Sequence, residues 1–446
     1  MTRRELLSRY ALGAGAWALD AAPLPHAKPR ARSVIFLFME GGPSQLDLLD
    51  AKPALRKYDG QPLPESMRAG LRFAFIQPGA SVWASARHFQ PRGQSGIEMS
   101  DWMPHLATQA DRLSVIRSMV SDQVNHVPGQ LLLQCGSPLP GRSSLGAWTL
   151  YGLGSEARDL PGFVVLFSGR APQASGGIYT SGFLPGTYQG TPFRDSGDAV
   201  LHLSNPTGVG RADQRRKLDL IGDLNRQHQA DTGDPETESR IQAYELAFRM
   251  QAAVPGLLDL SAEPAEVKAR YGPGRFAQNC LMARRLVERG VRFVLVSHAS
   301  WDDHADLNKN HALNCRLTDR PAAALLEDLH ARGLLDSTLV VWGGEFGRTP
   351  LVQQEKPGRD EAKGRDHHPY AFSMWLAGGG IRPGQVIGRT DDFGLSVVED
   401  KVEVHDLQAT ILHCLGLDHE KLTFRTQGRD FRLTDVGGVL LRKLLA

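Results

Sequence analysis

Carboxylate and imidazole side chains recur in this chain directly after apolar runs, the pattern expected of a metal centre assembled from separate strand ends. Glu40 and Asp47 follow such a run in FMEGGPSQLDLLDAKP. Asp302 and His304 stand in His298-Ala299-Ser300-Trp301-Asp302-Asp303-His304, and Glu345 in Gly343-Gly344-Glu345-Phe346-Gly347-Arg348. Asp366 and His367 close the set in Gly364-Arg365-Asp366-His367-His368. These are ligand types for Zn²⁺, Mn²⁺ or a related divalent ion. A lone Asp-x-His is usually a surface pair, whereas several such pieces converging at strand ends indicate a metal site. Arg348 and Arg365 each adjoin a candidate ligand. They are placed either to fork onto an anionic substrate or to ion-pair with Glu345 or Asp366 as structural support.

The elements that would bring these residues together are legible as continuous apolar runs, the mark of strands buried on both faces. Such strands are predicted at Ser33–Met39, Ser114–Arg117, Gly162–Phe167, Val291–Ser297, Ser337–Trp342 and Tyr370–Ala377. Helical periodicity over Ala277–Arg289 and Pro321–Arg332 precedes two of them. Alternating strands and helices predict an α/β fold, doubly wound around a mostly parallel sheet, whose ligands collect beyond the carboxyl ends of the strands. Residues 175–250 break the pattern, first rich in Gly, Ser, Thr and Pro and then charged and helical, and read as an insertion or cap. Ser44 reads as a helix cap because no G-x-S-x-G elbow surrounds it. Gly378-Gly379-Gly380 reads as a turn, and Asp406 as the cap of a late helix.

A net charge of +2 over 446 residues, with no basic run, argues against a nucleic-acid partner. The four cysteines are scattered without a CxxC pair, which excludes a zinc knuckle or dithiol motif. At the start, Thr2-Arg3-Arg4-Glu5-Leu6-Leu7 precedes a short small-residue apolar stretch and then Asp20, Pro23 and Pro25. That order predicts a twin-arginine export signal over residues 1–30, leaving a domain of residues 31–446 in the periplasm or outside the cell. No apolar stretch is long enough to serve as a transmembrane segment.

Several long motifs carry a family resemblance. They are GGPSQLDLLDAKP, NHVPGQLLLQCG, LGAWTLYGLGSE with DLPGFVVL, SWDDHADL, LLDSTLVVWGGEFGRTP, GRDHHPYAF and HDLQATILHCLGLDHEKLTFRTQGRDFRL. In this order, and over about residues 30 to 446, they resemble the twin-arginine-exported proteins of domain-of-unknown-function family 1501. These are sulfatase-like members of the alkaline phosphatase superfamily. The resemblance implies a sheet of the alkaline phosphatase and sulfatase type and a divalent metal, zinc or manganese, as one or two ions. It places Glu345-Phe346 where sulfatases carry a metal-binding Asp-His, keeping a carboxylate and losing an imidazole. It also places Glu40, with Asp47 as the alternative, where relatives carry a metal-binding Asp. The sulfatase nucleophile position falls on His126, in His126-Val127-Pro128-Gly129-Gln130, where no hydroxyl or thiol stands.

That departure leaves three possibilities: His126 acts as nucleophile or general acid, a metal-bound hydroxide attacks directly, or the site binds ligand without turning it over; the simpler role of His126 is a further imidazole in the metal cluster. Two functional readings follow. One is a metal-dependent hydrolase of phosphate or sulfate esters in the cell envelope, acting on an anionic small-molecule or polysaccharide ester. The other is a non-catalytic metal- or ligand-binding envelope protein on the same fold.

Overall fold

The computed structural model describes residues 25–446 apart from 69, 71–72, 77–78, 195–197, 202 and 354–361. The paired arginines and most of the predicted export signal therefore lie outside the described residues. Residues 33–39 fold as the central strand because every side chain in SVIFLFM is apolar or small and buried. Alternate residues feed two separate cores: Ile35, Leu37 and Met39 on one face, Val34, Phe36 and Phe38 on the other. A strand covered on both faces has no need of polar alternation, which is why the run is continuous.

The strands that matter are β1 (Ser33–Met39), β2 (Leu113–Val120), β3 (Phe163–Ser168), β4 (Thr191–Phe193), β5 (Phe293–His298), β6 (Thr338–Gly343), β7 (Gly347–Gln353), β8 (Gly364–His368), β9 (Phe372–Ala377), β10 (Gln385–Ile387) and β11 (Val402–Glu403). Among the described residues the main sheet has 9 strands in the order β10-β2-β9-β6-β1-β5-β3-β4, with β11 also on β2. Pairing is parallel except at β9, which runs antiparallel to both β2 and β6. The mostly parallel, doubly wound α/β sheet expected from the sequence is thus present, with one reversed strand. Among the helices, those that bear on the site and its packing are α1 (Gln45–Leu48), α2 (His126–Cys135), α3 (Arg211–Thr232), α4 (Pro235–Leu258), α5 (Arg275–Glu288), α6 (Leu307–Ala331) and α7 (Val404–Cys414). Leu286 of α5 and Leu325 of α6 fill one core, Leu132 of α2 and Ile411 of α7 the other.

Register makes the strand ends coincide. Met39 lies beside His298, Phe38 beside Gly343, and Ser168 beside His298. The chain therefore leaves β1, β3, β5 and β6 at one edge, and α2 starts at that same edge after β2. The reversed β9 begins there, with Phe372 opposite Met119 near the end of β2, so β8 arrives at the edge rather than leaving it.

Two local readings need correction. The helix expected from Pro321 begins at Leu307 and runs through the proline. Its first half lacks the apolar period because it is used for hydrogen bonding: Asn310 donates to Asp303 Oδ1 at 2.9 Å, His311 Nδ1 lies 2.6 Å from Asp303 Oδ2, and Asn314 donates to the Ser300 carbonyl at 2.6 Å. Ser44 occupies the N-cap position of α1, but its hydroxyl donates to Asp47 at 2.5 Å and caps no backbone group. Asp406 does cap α7, accepting from the Glu403 N–H at 2.9 Å. Within residues 175–250, β4 extends the sheet edge, and α3 and α4 follow.

Candidate metal centre

At the common edge, four of the anticipated side chains meet. His126, Asp302, His304 and His367 each offer a ligand atom, and these atoms lie within 4.8 Å of one another. Asp302 is the hub. Its Oδ1 lies 2.9 Å from His304 Nε2, 3.1 Å from His367 Nε2 and 2.8 Å from Arg348 Nη2, and its Oδ2 lies 3.0 Å from His126 Nε2. The remaining ring nitrogens are held in turn. His304 Nδ1 lies 2.6 Å from Gln353 Oε1, and His367 Nδ1 lies 2.7 Å from the Val124 carbonyl, which accepts its hydrogen and leaves Nε2 free as a donor atom.

His126 reaches the cluster because it occupies the first turn of α2, so its ring projects past the end of the sheet. Its Nδ1 lies 2.8 Å from Glu345 Oε1. Glu345 is fully buried and also accepts from the Gly41 N–H at 3.1 Å and from Gln130 at 3.1 Å. The same Gln130 amide donates to Glu40 Oε1 at 3.3 Å. One imidazole thus stands between two acidic groupings, Asp302 on one side and Glu345 with Glu40 on the other.

The electrostatics follow from this placement. Burial opposes charge on His126, yet Asp302 and Glu345 outweigh it and raise the imidazole to about 9. Burial likewise opposes charge on Asp302, but the adjoining imidazoles of His126, His304 and His367, and the Arg348 guanidinium, hold its carboxyl far below the ordinary range. His367 is pushed down to about 4, by burial first and then by the neighbouring cations, against the pull of Asp302. Glu40 is raised, by burial and by the charge of Glu345.

A divalent ion fits this set on two counts. Three imidazole nitrogens and a carboxylate oxygen are the donor chemistry of a zinc-type site. His126 Nε2, though close to Asp302, is not aligned for a hydrogen bond and is a buried nitrogen without a partner, as is Glu40 Oε2 on the other side. Such orphaned atoms are costly unless something else satisfies them.

The backbone is shaped to allow the approach. Gly41 has φ +112°, and a Cβ there would lie 2.4 Å from the Asp302 backbone nitrogen, so only glycine lets the end of β1 lie against the Asp302 loop. Gly364 is constrained similarly, with its would-be Cβ 2.0 Å from the His304 carbonyl carbon.

Other anticipated residues lie elsewhere. Asp47 is the acceptor in a buried ion pair with Arg365 Nε at 3.0 Å, and also takes hydrogen bonds from Ser44 and Ser85. Between the two alternatives offered by the sequence, Glu40 faces the centre and Asp47 does not. Asp366 also faces away: Oδ2 accepts from the N–H groups of Phe75 and Ile76 at 2.7 and 3.1 Å, and Oδ1 from the His367 N–H at 2.8 Å. The pairing of β8 with β7 is irregular between Arg365 and His367, and at this break His367 turns to the centre while Asp366 turns to the backbone of Phe75 and Ile76. The two arginines are structural rather than available to a substrate. Arg348 is fully buried and donates to the carbonyls of Gly41, Gly42, Trp301 and Arg365 as well as to Asp302. Arg365 is fully buried between Asp47 and the Trp83 ring, 4.4 Å from its centroid.

Sequence reading missed Arg170 and Gln130. Arg170 follows the end of β3, is about half exposed, and brings Nη2 to 3.5 Å from Glu40 Oε1. The strand-end rule applied to GFVVLFSGR would have found it. Gln130 lies one helical turn beyond His126, the spacing that puts both on one face of α2. Among the described residues, no hydroxyl or thiol hydrogen-bonds to this cluster. A cavity of about 570 Å³, lined by Asp122, Tyr370, Lys401 and His405 among others, includes none of these ligands. The ligands themselves are the better guide to the chemistry.

Residues 31–445 match the family described as Protein of unknown function (DUF1501). No curated protein matches the sequence. Among solved structures, the chain is similar to the PsFucS1 sulfatase from Pseudoalteromonas sp., at 11% identity and TM-score 0.40, covering 100% of this chain and 76% of that one. It is similar to the TAB5 alkaline phosphatase mutant His 135 Glu, at 12% identity and TM-score 0.36, covering 87% and 99%. It is also similar to the phosphonate monoester hydrolase SpPMH from Silicibacter pomeroyi, at 12% identity and TM-score 0.33, covering 93% and 76%. At such scores these are distant likenesses, and the chemistry of this chain has to come from its own residues.

Proposed function

This chain belongs to the family described as Protein of unknown function (DUF1501), a description that carries no activity, and from the geometry of its site we propose that it is a metal-dependent hydrolase of phosphate or sulfate esters. The observation that carries the reading is the meeting of His126, His304 and His367 on Asp302, with the buried Nε2 of His126 making no hydrogen bond and Arg170 half exposed beside Glu40. Asp302, His304, His367 and His126 Nε2 would hold the ion, zinc or manganese. Glu40 and Glu345, with His126 Nδ1, are the donors available to a second. A divalent ion supplies Lewis acidity, stabilising negative charge that builds on the ester oxygens. Arg170 offers a fork to an anionic group, and Glu40, raised by its surroundings, is suited to hold a proton taken from water. With no hydroxyl or thiol hydrogen-bonded to the cluster among the described residues, water would be the nucleophile.

The test is metal analysis of the purified mature protein, followed by assay against aryl phosphates and aryl sulfates. One or two equivalents of zinc or manganese and turnover of at least one ester class are expected. His126→Ala should lower kcat/KM by roughly 100-fold and reduce the metal content. The missing hydroxyl nucleophile also favours a second reading, a metal-bearing protein that binds anionic esters without cleaving them. Full metal content with ligand binding and no turnover would establish that reading.

The site would act in the cell envelope. The paired arginines and short apolar region support export by the twin-arginine route, and the substrate would then be an anionic small molecule or a polysaccharide ester met in the periplasm or outside the cell. No helix among the described residues is long and apolar enough to cross a membrane. Changing Arg3 and Arg4 to Lys should leave the precursor in the cytoplasm, as fractionation would show. Unaltered export of that variant would remove the assignment.

A further inference from the structure

We infer that Phe75 is the contact for the organic part of the ester, so that the centre prefers substrates carrying a flat ring beside the anionic group. The inference rests on the hydrolase reading and adds the substrate class. Phe75 is 51% exposed, yet its ring is set edge-on against two of the proposed ligands, with centroids 5.7 Å from His304 and 5.9 Å from His367. An exposed phenylalanine is common on protein surfaces and by itself means little. The way this one is held is what gives it weight. The N–H groups of Phe75 and of Ile76 both donate to one oxygen of Asp366, a carboxylate with no solvent exposure. The other oxygen of that carboxylate takes the N–H of His367. The backbone under the Phe75 ring is therefore fastened to the same strand residue that precedes a ligand.

A few residues further on, the segment is pinned to β8 again. Arg365 donates to the Trp83 carbonyl at 3.0 Å and lies over the Trp83 ring. Two fully buried charged side chains of β8 thus hold the segment that carries one half-exposed phenyl ring.

Position then orients the ligand. His304 and His367, which touch Phe75, lie on the Asp302 side of His126, whereas Arg170 lies on the Glu40 side. An ester with its anionic group toward Arg170 and the metal ligands would send its leaving group toward the Phe75 ring. Ring-on-ring contact there would be worth about tenfold in affinity over an alkyl group too small to reach it.

The probes are phenylphosphonate and methylphosphonate, which share the anionic group and cannot be hydrolysed, titrated calorimetrically into the zinc-loaded mature protein. Phenylphosphonate should bind about tenfold more tightly. Phe75→Ala should collapse that ratio toward one, Phe75→Leu should reduce it partly, and Phe75→Trp should keep it. Asp366→Ala, which frees the segment, should lower the ratio while zinc content measured by mass spectrometry is retained. Equal binding of the two probes to the unaltered protein, or an equal loss for both in Phe75→Ala, would overturn the inference and leave the hydrolase reading standing. If neither probe bound and no aryl ester turned over, both would fall together.

Discussion

Replacing Asp302 by alanine is expected to abolish stoichiometric zinc or manganese binding and to lower folding stability by about 3 kcal/mol. The carboxylate lies within about a hydrogen bond's length of three imidazoles and one guanidinium, so its loss leaves Arg348 buried without the one carboxylate it pairs with among the described residues, and removes the common neighbour of His126, His304 and His367. Asp302→Asn keeps the shape and removes the charge. It should therefore recover part of the stability and little of the metal. Mass spectrometry of the purified variants and urea unfolding followed by circular dichroism give the two readouts. Full metal content in the alanine variant would end the assignment of this cluster as the metal centre.

The opposite pairing of effects is expected at Asp47 and Arg365. Either residue replaced by alanine should cost about 3–5 kcal/mol, because the partner is left as an uncompensated charge in the interior, and neither change should remove a metal ligand. Asp47→Asn combined with Arg365→Met should be less harmful than the two single losses added together, and a double-mutant cycle would return that coupling. The pH dependence has a definite sign. Burial alone would raise the Asp47 carboxyl, but Arg365 and the hydroxyls of Ser44 and Ser85 more than reverse it, so its folded value lies below its unfolded one. Its contribution is present at any pH above the ordinary carboxylate range and is lost as pH falls through the depressed value. Loss of stability in Asp47→Ala that persisted unchanged at strongly acid pH would contradict this account.

Both predictions bear on what a sequence can disclose. The central strand was legible to the residue, Ser33–Met39, because a segment buried on both faces admits nothing polar. Neighbouring strands were placed within a residue or two for the same reason. The reversal of β9 was not legible, since an apolar run reads alike in either direction. At the centre, the chemistry of the donors was visible, but which of two neighbouring letters faces inward was not. His367 and Asp366 are adjacent, and they lie at an irregularity in the pairing of β8 with β7 that no local pattern marks. The Asp47 and Arg365 pair joins positions 318 apart, so nothing local marks these as each other's partner. Arg170 could have been found, because the rule that selected the other strand ends applied equally to β3.

The register that brings β1, β5 and β6 flush has a bearing on how the protein comes into being. Gly41 meets Glu345 across 304 positions of chain, and Ser33 meets Val291 across 258. A sheet whose innermost strand pairs only with segments synthesised much later closes slowly, since the loop entropy is spent before any contact rewards it. Glu40 is among the first of these side chains to leave the ribosome and His367 the last, and between those events no fragment holds a complete set of donors. Capture of an ion by this centre would thus be a terminal event of folding, and it would report that the whole chain, rather than any part of it, has reached its native arrangement.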